Sequence, residues 1–243
     1  MTTKEDILDP LAHLTEEVRE AVTRFLELPG RRVACLDADG TLWAADIGEA
    51  FLRWLAEGGL LPGQGGDADT VWLKYEDKVR QDLTGGYAWA VQCMAGLSEA
   101  DVVRWCRQLA AAWPNYRPQM RGLIRFLRDE GAEVYIVSAS NRWVVEAAAP
   151  RIGVDPACTI AMATQVENGV LTDRLVPPPI CGPGKIQAIL ERVGCLPGLA
   201  MGDGMGDLAV LEAARYRVVV GPHDRETELV RHARLAGWPV QVF

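Results

Sequence analysis

A short apolar run that ends in two aspartates strongly limits how this chain can fold. Residues 33–36, VACL, are followed by Asp37 and Asp39, one residue apart, and then by Gly40. Four apolar residues bounded by polar ones are typical of a strand that is buried on both faces of a parallel sheet. Two neighbouring carboxylates repel each other, and burying them is costly unless a partner neutralises their charge. The segment therefore predicts a buried strand whose carboxyl end lies at a functional site.

Three further apolar runs indicate that this strand belongs to an α/β sheet. They lie at residues 134–137, 199–201 and 218–220. Helical patterns separate the runs, and PQMRGLIRFLRDEGAE, for example, has three large apolar residues on one helix face before a glycine stop. Residues 159–175 predict a further strand and a hairpin, since they contain an Asn-Gly pair, a strong tight-turn signal. Strands that alternate with helices predict a doubly wound, Rossmann-like parallel sheet.

The segment at residues 46–116 has a different pattern. It is rich in helix formers, tryptophan and glycine, but it has no run typical of a buried strand. TVWLKYEDKVRQDL and SEADVVRWCRQLAAAW within it each have the apolar spacing of a helix. We therefore predict a small helical domain at residues 46–116, inserted into an α/β core that is formed by residues 1–45 and 117–243.

The composition disfavours several classes of protein. The 243 residues are 49% hydrophobic, which is ample for a core, and the formal net charge of -8 argues against a nucleic-acid partner. The N-terminal stretch MTTKEDILDPLAHL lacks the basic start and apolar run of a secretory signal, and no segment has the length of a membrane span. We expect a cytoplasmic protein with no membrane partner and with six reduced, structural cysteines. The oligomeric state follows from none of these features.

The polar residues that follow the predicted strands are expected to meet at one site. In an open parallel sheet, ligands bind beyond the carboxyl ends of the strands, where the connecting loops converge. Four clustered carboxylates require a cation, and oxygen donors without histidine or cysteine suit Mg²⁺. The predicted Mg²⁺ ligands are Asp37, Asp39, Asp203 and Asp207.

These residue types favour phosphoryl transfer. With Mg²⁺ and Lys185 countering the negative charge, the Asp37 carboxylate could attack phosphorus and form an aspartyl-phosphate. Asp39 would protonate the leaving alcohol and later deprotonate the attacking water. Ser138 and the backbone N–H groups of the SASN turn would bind phosphate oxygens. The predicted catalytic residues are therefore Asp37, Asp39, Ser138 and Lys185.

Four motifs in this order resemble those of the haloacid dehalogenase superfamily. They are DADGTLW, Ser138 in YIVSAS, Lys185, and GDGMGD. Asp39, two residues after the expected nucleophile, is similar to the aspartate that phosphatases of that superfamily have at this position. Dehalogenases lack an acid there, and P-type ATPases have threonine. The helical insert is similar to the C1 cap of the phosphoserine phosphatase-like branch. The resemblance implies a Mg²⁺-dependent phosphatase whose cap closes over a small phosphorylated metabolite.

The resemblance also bears on the substrate. Phosphoserine phosphatases carry a glutamate for the substrate's amino group shortly after the first motif, where this chain has Asp46 and, one turn further on, Glu49. Their cap arginine for the substrate's carboxylate has no counterpart, since no basic residue lies between Arg80 and Arg104. Phosphoserine is therefore disfavoured, because the bidentate carboxylate contact would be lost.

The aromatic content of the insert favours a different substrate. A carboxylate beside aromatic rings suits an amino or quaternary ammonium group such as that of phosphocholine. Among the rings, Trp43 and Trp89 are the ones that we expect to face the pocket. The predicted substrate-binding residues are Gly40, Thr41, Trp43, Asp46, Glu49, Trp89, Ala139 and Asn141.

Three alternatives stay open at this point. A phosphotransferase, in which an acceptor alcohol replaces water, would use the same residues. Phosphoserine phosphatase proper is the second. The last motif departs from the commonest family form, GDGxND, because Gly206 stands in place of an asparagine that helps to bind phosphate or substrate. The third is a phosphate sensor that has lost turnover, although such a sensor would have no use for an acid/base residue at Asp39.

Overall fold

The computed structural model describes residues 10–65 and 67–243. Residues 1–9, which form most of the stretch that argues against a secretory signal, lie outside the described residues. Within the described part, the chain forms a six-stranded sheet, a two-stranded sheet and flanking helices. A membrane span would need a longer and more apolar helix than any of these. All six cysteines are free thiols.

The large sheet confirms the predicted α/β architecture, because all of its strands are parallel. Its strands are β1 (Val33–Leu36), β2 (Glu133–Asn141), β3 (Thr159–Met162), β6 (Leu199–Gly202), β7 (Tyr216–Gly221) and β8 (Val240–Val242). The second sheet pairs β4 (Thr164–Glu167) with β5 (Val170–Leu175). The spatial order of the large sheet is β3-β2-β1-β6-β7-β8.

The four apolar runs of the sequence form the four central strands, β2, β1, β6 and β7. Central strands are buried on both faces, so they require apolar residues at successive positions. The edge strand β8 was not predicted, because it has only three residues and the middle one is a buried glutamine, Gln241.

The register of β1 and β6 brings two groups of aspartates together. Ala34 pairs with Leu199 and Leu36 pairs with Met201, so the two strands end at the same level. The Asp37 N–H donates to the Met201 carbonyl at 2.8 Å and extends the ladder by one residue. The acidic residues that follow β1 and β6 therefore leave the sheet side by side.

Ten α-helices accompany the strands within the described residues. They are α1 (Glu16–Leu26), α2 (Ile47–Glu57), α3 (Ala68–Gln81), α4 (Leu83–Gln92), α5 (Glu99–Ala112), α6 (Pro118–Asp129), α7 (Arg142–Ala148), α8 (Pro183–Val193), α9 (Leu208–Ala213) and α10 (Glu228–Ala236). Helices α1 and α10 pack on β7, α6 packs on β2, and α9 packs on β6. Helices α2 to α5 lie between β1 and α6 in the chain, in the segment for which the sequence predicts helices.

Aspartate caps begin two of these helices. The Asp46 carboxylate accepts from the Glu49 N–H at 2.7 Å at the start of α2, and the Asp67 carboxylate accepts from the Thr70 N–H at 2.8 Å at the start of α3. Each cap satisfies a backbone donor that has no partner within the helix. Asp46 is thereby held at the end of α2 that faces the sheet's aspartates.

The predicted hairpin is confirmed and contacts the inserted helices. Asn168 and Gly169 both have positive φ, 52° and 78°, as the tight turn between β4 and β5 requires. The Gly96 N–H donates to the Leu171 carbonyl at 2.8 Å, and the Leu171 N–H donates to the Leu97 carbonyl at 2.9 Å. The hairpin thus joins the loop between α4 and α5 by backbone hydrogen bonds.

Candidate active site

A cavity of about 440 Å³ lies between the carboxyl ends of the central strands and helices α2, α3 and α4. Most of the residues that the sequence predicts for the site line it. They are Asp37, Asp39, Gly40, Asp46, Glu49, Ala139, Asn141, Lys185, Asp203 and Asp207. The topology thus brings the first motif, the last motif and the start of the insert to a single cavity.

Lys185 is buried beneath this cavity and is surrounded by oxygen acceptors. Its Nζ donates to Asp37 Oδ1 at 2.8 Å, to Asp207 Oδ1 at 2.5 Å and to the Val137 carbonyl at 2.8 Å. Burial alone would lower the pKa of this ammonium, but the charges of Asp207 and Asp37 outweigh it and hold the pKa above its ordinary value. Lys185 is therefore a permanent positive charge against Asp37.

The loop before Lys185 explains its position. Gly182 has a φ of 51°, which favours glycine, and a Cβ on Gly184 would lie 1.9 Å from the Pro179 carbonyl oxygen. Only a residue without a side chain allows the chain to fold back on Pro179 at this point. Helix α8 then begins at Pro183, so that Lys185 lies in its first turn and points into the sheet.

Three aspartates form a cluster beside Lys185. Asp37, Asp203 and Asp207 each offer a carboxylate oxygen, and these oxygens lie within 4.8 Å of one another. Burial, followed by the neighbouring Asp207 charge, raises the pKa of Asp37 well above its ordinary value and raises that of Asp203 to about 7. Lys185 alone does not balance three carboxylates.

The cluster has the chemistry of a divalent-cation site. All of its donors are oxygens, which hard cations such as Mg²⁺ prefer, and the missing positive charge is what such an ion supplies. Gly40 lets the backbone approach this cluster: its φ is 73°, and a Cβ there would lie 2.0 Å from Asp203 Oδ2. The residues present therefore fit a bound Mg²⁺ ion.

The Asp39 carboxylate, which the sequence also predicts to be a metal ligand, lies outside the cluster of Asp37, Asp203 and Asp207. Its Oδ1 accepts from the Trp43 indole Nε1–H and from the Ile47 N–H, both at 2.7 Å, and its Oδ2 accepts from the Ser140 hydroxyl at 2.7 Å. Burial raises the pKa of Asp39, and these hydrogen bonds oppose that rise. Both oxygens face donors of the protein, because the carboxylate points toward α2 and β2.

Ser138 and its neighbours form the edge of the site at the end of β2. The Ser138 side chain is buried; its Oγ accepts from the Ser140 N–H at 3.0 Å and donates to Asp39 Oδ2 at 3.4 Å. Asn141 lines the cavity, but its Oδ1 also caps α7 by accepting from the Val144 N–H at 3.0 Å. Ser140 was not predicted, although it follows Ser138 by two residues and alternation along β2 turns both side chains the same way.

Three residues that the sequence predicts to contact the substrate do not line the cavity. Trp43 is fully buried and its indole binds Asp39 rather than facing the cavity. The Trp89 ring instead lies under the ammonium groups of Lys74 and Lys78, at 5.2 and 5.7 Å. Thr41 is fully buried, away from the cavity lining. These orientations depend on contacts between segments, such as that of the Trp43 indole with Asp39 Oδ1, and spacing along the sequence does not reveal them.

Two carboxylates and two tyrosines form the opposite wall of the cavity. Asp46 and Glu49 lie at the start of α2, and Glu49 Oε1 accepts from the Tyr75 hydroxyl at 2.9 Å. Tyr87 lies beside them on α4. Burial raises the pKa of both carboxyls, and the Asp39 charge adds to the rise. The aromatic side chains that line the cavity within the described residues are therefore Tyr75, Tyr87 and Phe51, and the two predicted tryptophans are not among them.

Arg225 is a further residue that sequence reasoning missed. It lies in the loop after β7 and lines the cavity from the core side. No motif surrounds it, and only the convergence of loops beyond the sheet brings it to the site.

The comparisons with known proteins agree with this site. A parallel sheet that carries clustered carboxylates and a buried lysine beyond its carboxyl ends is suited to phosphoryl transfer. The chain belongs to the haloacid dehalogenase-like hydrolase family, which it matches over residues 34–212.

Two relatives and one solved structure extend the comparison. The histidinol-phosphatase of Neisseria meningitidis serogroup C (strain 8013) is 24% identical over 228 residues, which cover 88% of this chain and 99% of that protein. The phosphoserine phosphatase of Albidiferax ferrireducens is 29% identical over 153 residues, 59% of each chain. A Bordetella pertussis protein of unknown function has the same fold, with a TM-score of 0.73 and 22% identity over 86% of this chain and 97% of that one. The family and its phosphatase relatives identify this chain as a phosphatase.

Proposed function

We propose that the protein hydrolyses a small phosphomonoester through an aspartyl-phosphate on Asp37, with Mg²⁺ as cofactor and Asp39 as general acid and base. The contact that carries the proposal is that between Lys185 and Asp37, because a buried carboxylate held by an ammonium within an acidic cluster is suited to attack on phosphorus. Residues 46–116 would form the cap, and residues 1–45 and 117–243 the catalytic core.

The metal ligands would come from the aspartate cluster. Asp37, Asp203 and Asp207 would hold Mg²⁺, which when bound supplies charge neutralisation and polarises a phosphoryl oxygen. Lys185 keeps its hydrogen bonds to Asp37 and Asp207 throughout and holds their carboxylates in place.

The protein's own residues account for the two chemical steps. As an Asp37 oxygen forms its bond to phosphorus, the bond from phosphorus to the alcohol oxygen breaks, and Asp39 gives its proton to that oxygen. Asp39 then removes a proton from the water that attacks the phosphorus of the aspartyl-phosphate, which releases phosphate and restores Asp37. The raised pKa of Asp39 suits it to carry a proton in the first step.

The wall opposite the aspartates favours an alcohol that carries a positive charge. Asp46 and Glu49 are carboxylates within the cavity, and Tyr75 and Tyr87 add aromatic rings beside them. An ammonium group would draw both carboxyls into their ionised form. The relative named histidinol-phosphatase supports this substrate class, because histidinol phosphate is the phosphate ester of an amino alcohol.

One observation favours phosphoserine as a second candidate. Arg225 lines the cavity and would offer a guanidinium for a substrate carboxylate, a group for which the insert has no basic residue between Arg80 and Arg104. The phosphoserine phosphatase relative is consistent with this alternative.

The test is phosphate release in Mg²⁺ and in EDTA from histidinol phosphate, phosphocholine, phosphoethanolamine, phosphoserine, glycerol 1-phosphate and sugar phosphates. We expect Mg²⁺-dependent release, fastest from an ester with a cationic alcohol and without a carboxylate. Fastest release from phosphoserine would support the second candidate, and release that persists in EDTA would contradict the metal assignment. Phosphate that is bound but never released from an ester would instead support a sensor. Added glycerol that becomes phosphorylated would identify a phosphotransferase.

A charge-neutral change at Asp46 tests the recognition of the cationic group. Asparagine caps a helix as well as aspartate does, so Asp46→Asn should keep α2 intact while removing the charge. We expect KM for the preferred cationic ester to rise about 10-fold, since a hydrogen bond to a charged group contributes about 1.5–3 kcal/mol. KM for glycerol 1-phosphate should change less than about 2-fold, within the spread expected when no such contact is lost.

Asp67→Asn is the matched control, because Asp67 caps α3 in the same way at an exposed position. It should leave both KM values unchanged. An equal rise in KM for the cationic and the neutral ester in Asp46→Asn would contradict the assignment of Asp46 to the cation.

A further inference from the structure

The two oxygens of the Asp39 carboxylate have different kinds of neighbour. Oδ1 accepts from two N–H groups, the Trp43 indole and the Ile47 backbone, each at 2.7 Å. Oδ2 faces two hydroxyl groups, that of Ser140 at 2.7 Å and that of Ser138 at 3.4 Å. The two sides of this carboxylate are therefore not equivalent for proton transfer.

The difference decides which oxygen can carry a proton. An N–H group only donates, so a proton on Oδ1 would have to displace one of its two donors. A hydroxyl both donates and accepts, so a proton on Oδ2 leaves every hydrogen bond intact once the Ser140 hydroxyl rotates. Oδ2 is thus the oxygen that gains and loses a proton without breaking contacts.

We infer that Trp43 and Ser140 are positioning residues for proton transfer by Asp39, an inference that rests on the general acid and base role proposed above. Trp43, together with the Ile47 N–H, fixes Oδ1 and so directs Oδ2 toward the leaving oxygen. The Ser140 hydroxyl donates to Oδ2 when that oxygen is ionised, and it accepts from Oδ2 when that oxygen is protonated, until the alcohol oxygen takes its place as acceptor. When the proton passes from Oδ2 to the alcohol oxygen, the bond between that oxygen and phosphorus breaks.

The surroundings of Trp43 hold its indole in one orientation. The ring is fully buried and meets Tyr116 edge to face, with centroids 5.8 Å apart. The next residue is also fixed, because the Ala44 N–H donates to the Asn115 carbonyl at 2.9 Å. A rigid donor holds the carboxylate in a single rotamer, whereas a mobile one would let it turn.

The position of Ser140 depends on a glycine at the start of α2. A Cβ on Gly48 would lie 2.3 Å from the Ser140 Oγ, so a larger residue would displace the hydroxyl. Gly48 and Ser140 both line the cavity, next to Asp39. The helix that supplies the Ile47 donor thus also makes room for the Ser140 hydroxyl.

The experiment compares leaving groups that do and do not need a proton. Trp43→Phe keeps the aromatic ring and removes the N–H donor. We expect kcat/KM to fall about 10-fold for the alkyl phosphomonoester that the wild-type protein cleaves fastest, as part of the 10²–10⁴-fold that general acid catalysis contributes. For p-nitrophenyl phosphate, kcat/KM should change less than about 2-fold. This ratio reports only the first chemical step, in which the p-nitrophenolate leaves without needing a proton from Asp39. Asp39→Asn should give the same pattern with a larger loss.

Matched controls separate positioning from packing. Trp105→Phe removes an indole that meets the Trp54 ring at a tilt of 57° and does not line the cavity, and it should leave the kinetics with both substrates unchanged. Ser140→Ala removes the hydroxyl at Oδ2, so it tests the inference even where Trp43→Phe does not fold. Its control is Ser98→Ala, because the Ser98 side chain makes no capping hydrogen bond. Near-ultraviolet circular dichroism checks the fold of each variant.

The outcomes are distinct. Selective loss on the alkyl ester in Trp43→Phe or Ser140→Ala supports positioning of Asp39. Equal loss on both substrates, or no loss on either, overturns the inference and leaves only a packing role. If Asp39→Asn itself lacks the selective pattern, or if the wild-type protein cleaves neither ester, the proposed function fails as well.

Discussion

Asp37→Asn is expected to abolish turnover while leaving the protein folded. The substitution keeps the size of the side chain but removes the nucleophile, and loss of a nucleophile in a covalent mechanism costs about 10⁴-fold or more in kcat. Stability should fall by no more than about 1 kcal/mol, because Lys185 keeps its bond to Asp207 and one of three crowded carboxylates is removed. Phosphate release and urea unfolding measure the two effects.

Asp173→Asn is the control for this variant. Asp173 is exposed on β5, away from the cavity, so its neutralisation changes the net charge in the same way without touching the site. Kinetics like those of the wild type are expected. Turnover by Asp37→Asn at more than about 1% of the wild-type rate would contradict the nucleophile assignment, given the size of loss expected for a true nucleophile.

Lys185→Met is expected to be the most destabilising single substitution in the site. Methionine fills the same volume but leaves Asp37 and Asp207 buried without their cation. Removing one partner of a buried ion pair costs about 3–5 kcal/mol, because an uncompensated charge is left behind. Urea unfolding in metal-free buffer measures the loss, and turnover should disappear together with the stability.

A double variant separates the charge effect from packing. If the cost arises from the unpaired carboxylates, Asp37→Asn should partly rescue Lys185→Met, so the two changes together should cost less than their sum. Lys74→Met is the control, because Lys74 is exposed. Within the described residues, the one hydrogen bond of its ammonium is to the Gln64 amide oxygen at 3.2 Å. A loss of less than about 1 kcal/mol in Lys185→Met would mean that the burial of this pair has little energetic consequence.

The central sheet and the family could be predicted from short segments. Each central strand is buried on both faces, so its apolar run is visible without knowledge of its neighbours. The rule that ligands bind beyond the carboxyl ends of parallel strands grouped Asp37, Lys185 and Asp203, and the structure brings Asp37 into contact with Lys185 and into a cluster with Asp203. The edge strand β8 was not predicted, because its three residues around Gln241 do not form a recognisable apolar run.

The orientation of side chains at the site could not be predicted in the same way. Asp39 follows Asp37 by only two positions. Its carboxylate nevertheless turns away from the cluster, because Trp43, Ile47 and Ser140 donate hydrogen bonds to it. Which aromatic rings face the cavity depends on how α3 packs against α4 and α2, and the rings that line it are Phe51, Tyr75 and Tyr87.

Local patterns along the chain were enough to predict the central strands, the acidic motifs and the lysine that lies against them, because a strand buried on both faces and the loop after it can be recognised from neighbouring residues. Packing between distant segments was needed to show which donors surround each oxygen of Asp39, which aromatic rings line the cavity and that Arg225 reaches it. These properties depend on contacts between segments far apart in the chain, and a side chain's direction follows from what packs around it rather than from its spacing along the sequence.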